Sequence, residues 1–297
     1  MLGGSSPACH AYQAHMGIAD QYRLGLPAWG FPGWKDQYFS ALPSQLASYA
    51  RIFKTVEGNT SFYRIPEPAQ VSRWHADVAG ADFKFCFKLP RAVTHERHFD
   101  VDALGAFLRA VEPFGENLGP LLVQFPATVG PSQLAPMREL LSHLPAAFRF
   151  ALEVRHPEFF AQGELLEELL AEHRAGRVIM DTRPLYLGDH HHPEVQAALH
   201  KKPDLPVVPE VHSGLAFVRL ILHPDLGTNA PYISEWATQV AQWLRAGHEV
   251  FMMIHCPNNQ HCPKLAERFH KALLAEPGMD GLPALGPWPV PQQAQLI

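Results

Sequence analysis

The sequence predicts an α/β protein, a single-domain (β/α)8 barrel of the TIM type with a long loop after the sixth strand. Three observations predict it. Short apolar runs alternate with amphipathic segments about eight times in roughly 250 residues, the rhythm of a strand–helix repeat. The first run ends in Trp29-Gly30-Phe31-Pro32-Gly33-Trp34 with no Gly-x-Gly-x-x-Gly, which argues against a doubly wound dinucleotide-binding sheet. Nearly every apolar run also carries one polar residue toward its end, the pattern of a barrel whose inward positions gather at one mouth.

The elements follow in order. Residues 1–21 lack periodicity and read as an N-terminal arm; residues 22–275 hold the repeat; residues 276–297 are a Pro-rich tail. Strands are expected over Leu24–Trp29, Phe53–Glu57, Phe83–Leu89, Leu118–Phe125, Phe148–Val154, Val178–Asp181, Leu215–His223 and Val250–His255. Between them, apolar residues recur three and four apart: Val71 and Trp74 behind a first-turn Pro68, then Leu104, Phe107, Leu108 and Val111. Ser132 is placed to cap the segment with Leu134, Met137, Leu140 and Leu141. Leu165 to Leu170, Ile233 to Trp243 and Leu265 to Leu274 complete the set. Asp189 to Ser213, with His190-His191-His192 and Lys201-Lys202-Pro203, interrupts the rhythm and is a candidate lid over the mouth or a solvated excursion.

Composition narrows the function classes. The 297 residues are 47% hydrophobic and 18% charged, enough to bury a large core. The net charge is −5 with acids and bases interspersed, so no nucleic-acid partner is expected. No apolar run approaches bilayer length, and the N-terminus lacks the basic-then-apolar order of a signal peptide, so no membrane association and a cytoplasmic location are expected. Four cysteines (Cys9, Cys86, Cys256, Cys262) are too few for a disulfide framework.

The stretch Phe148 to Phe160 is the centre of the chemistry. Phe150, Leu152 and Val154 share one face, so Ala151, Glu153 and Arg155 share the other, and His156-Pro157 ends the strand just beyond. The same two-residue period groups Thr55, Glu57 and Asn59, sets Lys84, Cys86 and Lys88 opposite three phenylalanines, and isolates Gln124. Asp181 shares the parity of Ile179, Arg219 lies within an apolar strand, and His255 shares the parity of Met253. If the outward parity packs on helices, these polar residues face inward. They then form a mouth of Trp29, Glu57, Lys88, Gln124, Glu153, Asp181, Arg219 and His255.

These residues sit in motifs that resemble the YecE-like family, domain of unknown function 72. The motifs are Pro32-Gly33-Trp34, Val56-Glu57-Gly58-Asn59-Thr60-Ser61-Phe62-Tyr63 and Phe85-Cys86-Phe87-Lys88-Leu89-Pro90 with Thr94-His95. Gln124-Phe125-Pro126, Glu153-Val154-Arg155-His156-Pro157 and Asp181-Thr182-Arg183-Pro184 continue the match in order over residues 22–275. Lys201-Lys202-Pro203 and His255-Cys256-Pro257-Asn258 bring it nearest to the YecE branch. The resemblance implies a TIM-type barrel and supplies no activity.

Three chemistries fit the residues. In the first, a small anionic metabolite, phosphorylated or carboxylated, is held by Lys88, Arg155, Arg183 and Arg219. Glu57 and Glu153 serve as general acid and base, His95 or His156 shuttles protons, and Asp181 joins the catalytic set. Trp29, Asn59, Tyr63, Gln124 and His255 line the substrate side. In the second, Glu57, Glu153, Asp181 and His255 hold a divalent metal in a hydrolase or isomerase; the nearby Arg and Lys residues disfavour this, since they can neutralise the carboxylates. The third is a non-catalytic metabolite-binding protein with the same cationic mouth. His255-Cys256 and His261-Cys262 lack zinc-finger spacing, and no Gly-x-Ser-x-Gly elbow is present.

Overall fold

A computed structural model describes residues 17–35, 37–40, 43–96 and 98–288. Each apolar run becomes a strand: β1 (Tyr22–Leu26), β2 (Thr55–Gly58), β3 (Lys84–Phe87), β4 (Leu121–Gln124), β5 (Phe150–Glu153), β6 (Gly176–Asp181), β7 (Leu215–Ile221) and β8 (Glu249–His255). All are parallel and follow the order β3-β2-β1-β8-β7-β6-β5-β4. The ring closes between its ends through bridges pairing Phe85 with Leu118 and Lys88 with Leu122. The molecule is thus a single-domain TIM-type barrel.

Prolines set several boundaries that the apolar pattern overran. β1 stops at Leu26 because Pro27 follows, and β4 starts at Leu121 because Pro120 has no N–H for the ladder. Ser132 does not cap its helix. A turn of 3₁₀ helix, Pro131–Gln133, precedes the helix Leu134–Ser142, and the Gln133 side chain instead accepts from the Gly130 N–H at 3.1 Å.

Two apolar layers share the strands. Cys86, Leu122, Ala151, Val178, Leu215, Phe217, Phe251 and Met253 point inward and plug the barrel. The opposite parity packs on the helices in a larger core rich in aromatic rings, with Phe85, Phe87, Phe107, Phe114 and Trp236 all buried. Burying each such ring contributes about 2–3 kcal/mol. The tail adds to this layer. Met279 and Leu282 are buried, and Trp288 lies 5.2 Å from Tyr38 and 5.9 Å from Phe39.

The interruption after β6 is not a free excursion. Its helix Pro193–Leu199 and Leu205 bury Val195, Ala198 and Leu205 against Met180 and Ile221, the last inward residues of β6 and β7. That apolar contact seats residues 193–205 over one side of the mouth. No helix among the described residues is long and apolar enough to cross a membrane.

Candidate functional site

The inward parity of β2, β5, β7 and β8 delivers charge to the C-terminal end of the barrel. Arg219 continues the row of Leu215 and Phe217, His255 that of Phe251 and Met253, and Glu153 that of Ala151. Glu57 is the ladder partner of Cys86. All four are buried. The three charged ones, Glu57, Glu153 and Arg219, persist away from water only when each finds a partner. Arg219 supplies it: its Nε and Nη2 donate to the two oxygens of Glu57 at 2.9 Å each, and its Nη1 donates to Glu153 Oε2 at 2.7 Å. The two-pronged contact with Glu57 is one that lysine cannot make.

Hydrogen bonds extend outward from this trio. Asn59 Nδ2 donates to Glu57 Oε1 at 2.8 Å. Arg155 Nε donates to Glu153 Oε1 at 2.6 Å and its Nη2 to Gln124 Oε1 at 3.0 Å. That orients the Gln124 amide, whose Nε2 donates to His95 Nε2 at 3.3 Å. His95 then carries its proton on Nδ1 and donates it to Thr94 Oγ1 at 2.7 Å.

The partners fix the charge states. Burial pushes the Glu57 carboxyl up, but Arg219 and His255 outweigh it and hold it well below the usual range. Burial likewise opposes Arg155, Arg219 and Lys88 at Glu153, which falls to about 2. Both carboxylates therefore stay ionised at neutral pH. Burial drives His255 down to about 4 against the pull of Glu57. Although His255 Nε2 lies 3.2 Å from Glu57 Oε2, the ring is neutral at pH 7, and the contact is a hydrogen bond donated by Nε2–H. His95 is also brought to about 4, first by burial and then by Lys88 and Arg155.

Two lysines stand apart. Lys88 Nζ sits 3.7 Å above the Phe62 ring, and burial brings its amine down to about 8. Lys202 lies within the fields of Arg219, Glu57, Arg155 and Glu153, and burial with the repulsion of Arg219 brings it to about 7. Among the described residues, neither Nζ donates a hydrogen bond or forms an ion pair. Lys202 is a site residue that the strand pattern could not reveal, because it comes from the insertion. Its backbone is fixed there by side chains: Tyr186 Oη donates to the Lys202 carbonyl at 2.6 Å, Thr182 Oγ1 to that of Pro203 at 2.9 Å, and Arg155 Nη1 to that of Lys201 at 3.3 Å.

Two cavities flank the 3₁₀ turn Asn59–Phe62. One, of about 700 Å³, is lined by Lys88, Arg91, His95, Gln124, Arg155 and Lys201, together with Phe62 and neighbouring loop residues. The other, of about 450 Å³, is mostly apolar and is walled by Trp29, Asn59, Tyr63 and Trp74 with Glu57 at its edge. Trp29 stands edge-on to Trp74 at 4.9 Å, and Tyr63 is largely exposed.

Three residues expected to take part in the chemistry lie elsewhere: Asp181, from the expected mouth, with Arg183 and His156. Asp181 shares the face of Ile179, which belongs to the outer layer, whereas Val178 fills the barrel. Asp181 accepts from Trp236 Nε1 at 2.7 Å and from Arg183 Nη2 at 2.7 Å, so an outward carboxylate is satisfied there. Arg183 is held in the same outer cluster, where its Nη2 also donates to Glu235 at 2.9 Å. His156 accepts from the Glu158 N–H at 3.3 Å and its ring abuts Gly130, outside both cavities. The four-ligand metal grouping of Glu57, Glu153, Asp181 and His255 therefore does not converge. Among the described residues, no three His, Cys, Asp or Glu side chains are arranged to hold a metal.

Comparison with known proteins places this geometry in a family. The sequence profile described as "Protein of unknown function DUF72" matches residues 23–289. The "UPF0759 protein YecE" of Escherichia coli strain K12 is 34% identical over 281 residues, covering 92% of this chain and 99% of that protein, and the O157:H7 form matches equally. A crystal structure of a DUF72 family protein from Enterococcus faecalis V583 superposes with a TM-score of 0.68 at 19% identity, covering 90% of this chain and 98% of that one. One from Thermotoga maritima MSB8 gives 0.64 at 19% identity, covering 85% and 99%. These two likenesses carry the barrel fold; the profile match and the YecE identity carry the relationship, and the chain belongs to the DUF72 family.

Proposed function

We propose that the chain binds a small anionic metabolite, phosphorylated or carboxylated, in the cavity beside Lys88 and Arg155. The single observation that carries this reading is the imbalance of charge there. The 700 Å³ cavity is lined by Lys88, Arg91, Arg155 and Lys201, with no Asp or Glu among its lining residues; Arg155 is paired with Glu153 and Arg91 with Glu96, so among the described residues Lys88 and Lys201 are the cations left without an anion. Glu57 and Glu153 cannot redress the imbalance, because Arg219 and Arg155 already engage them. A half-buried ammonium such as that of Lys88 is costly without an anion, and a ligand carboxylate or phosphate would offset that cost. Neutral His95 lines the same cavity, and a bound anion that displaces Gln124 from its Nε2 would meet the ring's one acceptor nitrogen.

Calorimetric titration with inorganic phosphate and with sulfate tests the reading. Saturable binding is expected, weakened roughly tenfold or more in Lys88→Met, which keeps the stem over Phe62 and loses the charge. Sulfate does not change charge near neutrality, so its affinity should fall between pH 7 and pH 9 as Lys88 titrates near 8. Heats that never saturate, or equal affinity in Lys88→Met and the parent, would remove the proposal.

A further inference from the structure

The loop after β8 carries a feature that anion binding does not use. Cys256 follows His255 at the end of β8, and Cys262 is the first residue of the helix Cys262–Leu274. Two turns fold the segment back: the Asn259 N–H donates to the Cys256 carbonyl at 3.2 Å, and the Cys262 N–H donates to the Asn259 carbonyl at 3.1 Å. Asn259 sits at φ +64°, the left-handed conformation that Asn tolerates better than most side chains. The reversal brings the two sulfurs to 3.4 Å, with Cys262 Sγ donating to Cys256 Sγ.

We propose that Cys256 and Cys262 are an oxidation site, a dithiol that hydrogen peroxide converts to a reversible intraloop disulfide. The two thiols are not equivalent. Cys256 accepts the Cys262 S–H, and with the His261 and Asn259 N–H groups this holds its thiol below the ordinary range. Burial and the neighbouring sulfur push Cys262 well above that range. Thiolate character and access decide which cysteine attacks, and Cys256 keeps 4% of its surface exposed where Cys262 keeps none. Cys256 is therefore the nucleophile and Cys262 the resolving thiol. The Cys256 thiolate attacks one peroxide oxygen, the O–O bond breaks, and the departing hydroxide takes up the proton that Cys256 shed, leaving as water. Cys262 then attacks the sulfenic sulfur, the S–O bond breaks, and the Cys262 proton leaves with hydroxide as a second water. Two electrons pass from the thiols to one peroxide.

Cys86 is the internal contrast. It is buried within the barrel beside Thr55 Oγ1 at 3.5 Å, has no second thiol beside it among the described residues, and is pushed up to about 12. The loop also touches the insertion and the first βα segment. Asn258 Nδ2 donates to Glu194 Oε1 at 2.5 Å, and the Asn259 and Gln260 carbonyls accept from Trp34 Nε1 at 3.0 and 3.2 Å. Closing the disulfide would tighten a loop that these contacts join to the rim of the mouth.

The full chain, reduced and then exposed to hydrogen peroxide, is alkylated under denaturing conditions and digested with trypsin. Residues 246–264 form one peptide holding both cysteines. That peptide is expected to be lighter by two hydrogens and without alkyl groups, reverting with dithiothreitol, while Cys86 alkylates fully. In Cys262→Ser, Cys256 should accumulate a sulfenic acid that dimedone traps; in Cys256→Ser, Cys262 should stay alkylatable. Alkylation of both cysteines in peroxide-treated parent overturns the assignment. So does irreversible over-oxidation of Cys256 beside a free Cys262, or a disulfide to another cysteine.

Discussion

Arg219→Met is expected to lower unfolding stability by about 3–5 kcal/mol, the cost of leaving a buried charge without its partner. For a protein of this size that is a fall in Tm of roughly 10 °C. The reason is specific. Glu57 and Glu153 are buried, and three of their four oxygens accept from this one guanidinium. Without it, Glu57 keeps only the neutral donors Asn59 and His255, and Glu153 keeps Arg155. Arg219→Lys should fall between the two, since an ammonium cannot span both oxygens of Glu57 and reach Glu153. The triple variant Glu57→Gln, Glu153→Gln, Arg219→Met removes the stranded charges along with the guanidinium, so it should recover much of the loss. Urea denaturation of the four proteins at pH 7 decides the matter. A single Arg219→Met as stable as the parent would mean that the trio does not hold the core in this way.

The sequence carried most of this arrangement but not all of it. Strand positions and the inward parity of Glu57, Lys88, Gln124, Glu153, Arg219 and His255 were legible, because a two-residue period applied to alternating polar and apolar positions needs no tertiary information. The same rule misplaced Asp181. It assumes that a polar residue cannot face the helix layer, whereas Trp236 Nε1 and Arg183 make that layer polar at one point. Those partners are distant in sequence, so no local pattern announces them. Lys202 was illegible for a different reason. An aperiodic insertion has no face to assign, and its position depends on Tyr186, Thr182 and Arg155 binding successive carbonyls. The division of the mouth into two cavities was hidden too, since it depends on a 3₁₀ turn that sets Phe62 on one side and Tyr63 on the other.

Stability should fall continuously as pH drops from 7, in two stages that can be separated by mutation. His255 titrates near 4 in the folded chain against an ordinary 6.5. A depressed folded pKa means that the unfolded chain binds the proton first, so its contribution is complete above 6.5 and is lost as pH falls toward 4. Glu153, near 2 against 4.5, has the same sign in a lower window: its contribution is complete above 4.5 and is lost as pH falls toward 2. Each stage is on the order of 3 kcal/mol. Glu57, also held low, adds to the second. His255→Gln should make the slope between pH 6.5 and 4 shallower, leaving the share of His95, and keep the lower limb. Glu153→Gln should weaken the lower limb, leaving the share of Glu57, and keep the upper one. The lysines extend the same sign upward: Lys88 and Lys202 are depressed below 10.5, so the folded chain gains stability as pH rises above about 7. That gain should shrink when sulfate is present, because a bound anion favours the protonated amines and so raises their pKa toward the unfolded value. Urea midpoints measured from pH 3 to 9 at fixed ionic strength test the whole curve. A flat profile between pH 6.5 and 4 in the parent would show that His255 is not buried neutral against Glu57. A sulfate-independent rise above pH 7 would separate the lysines from any anion site.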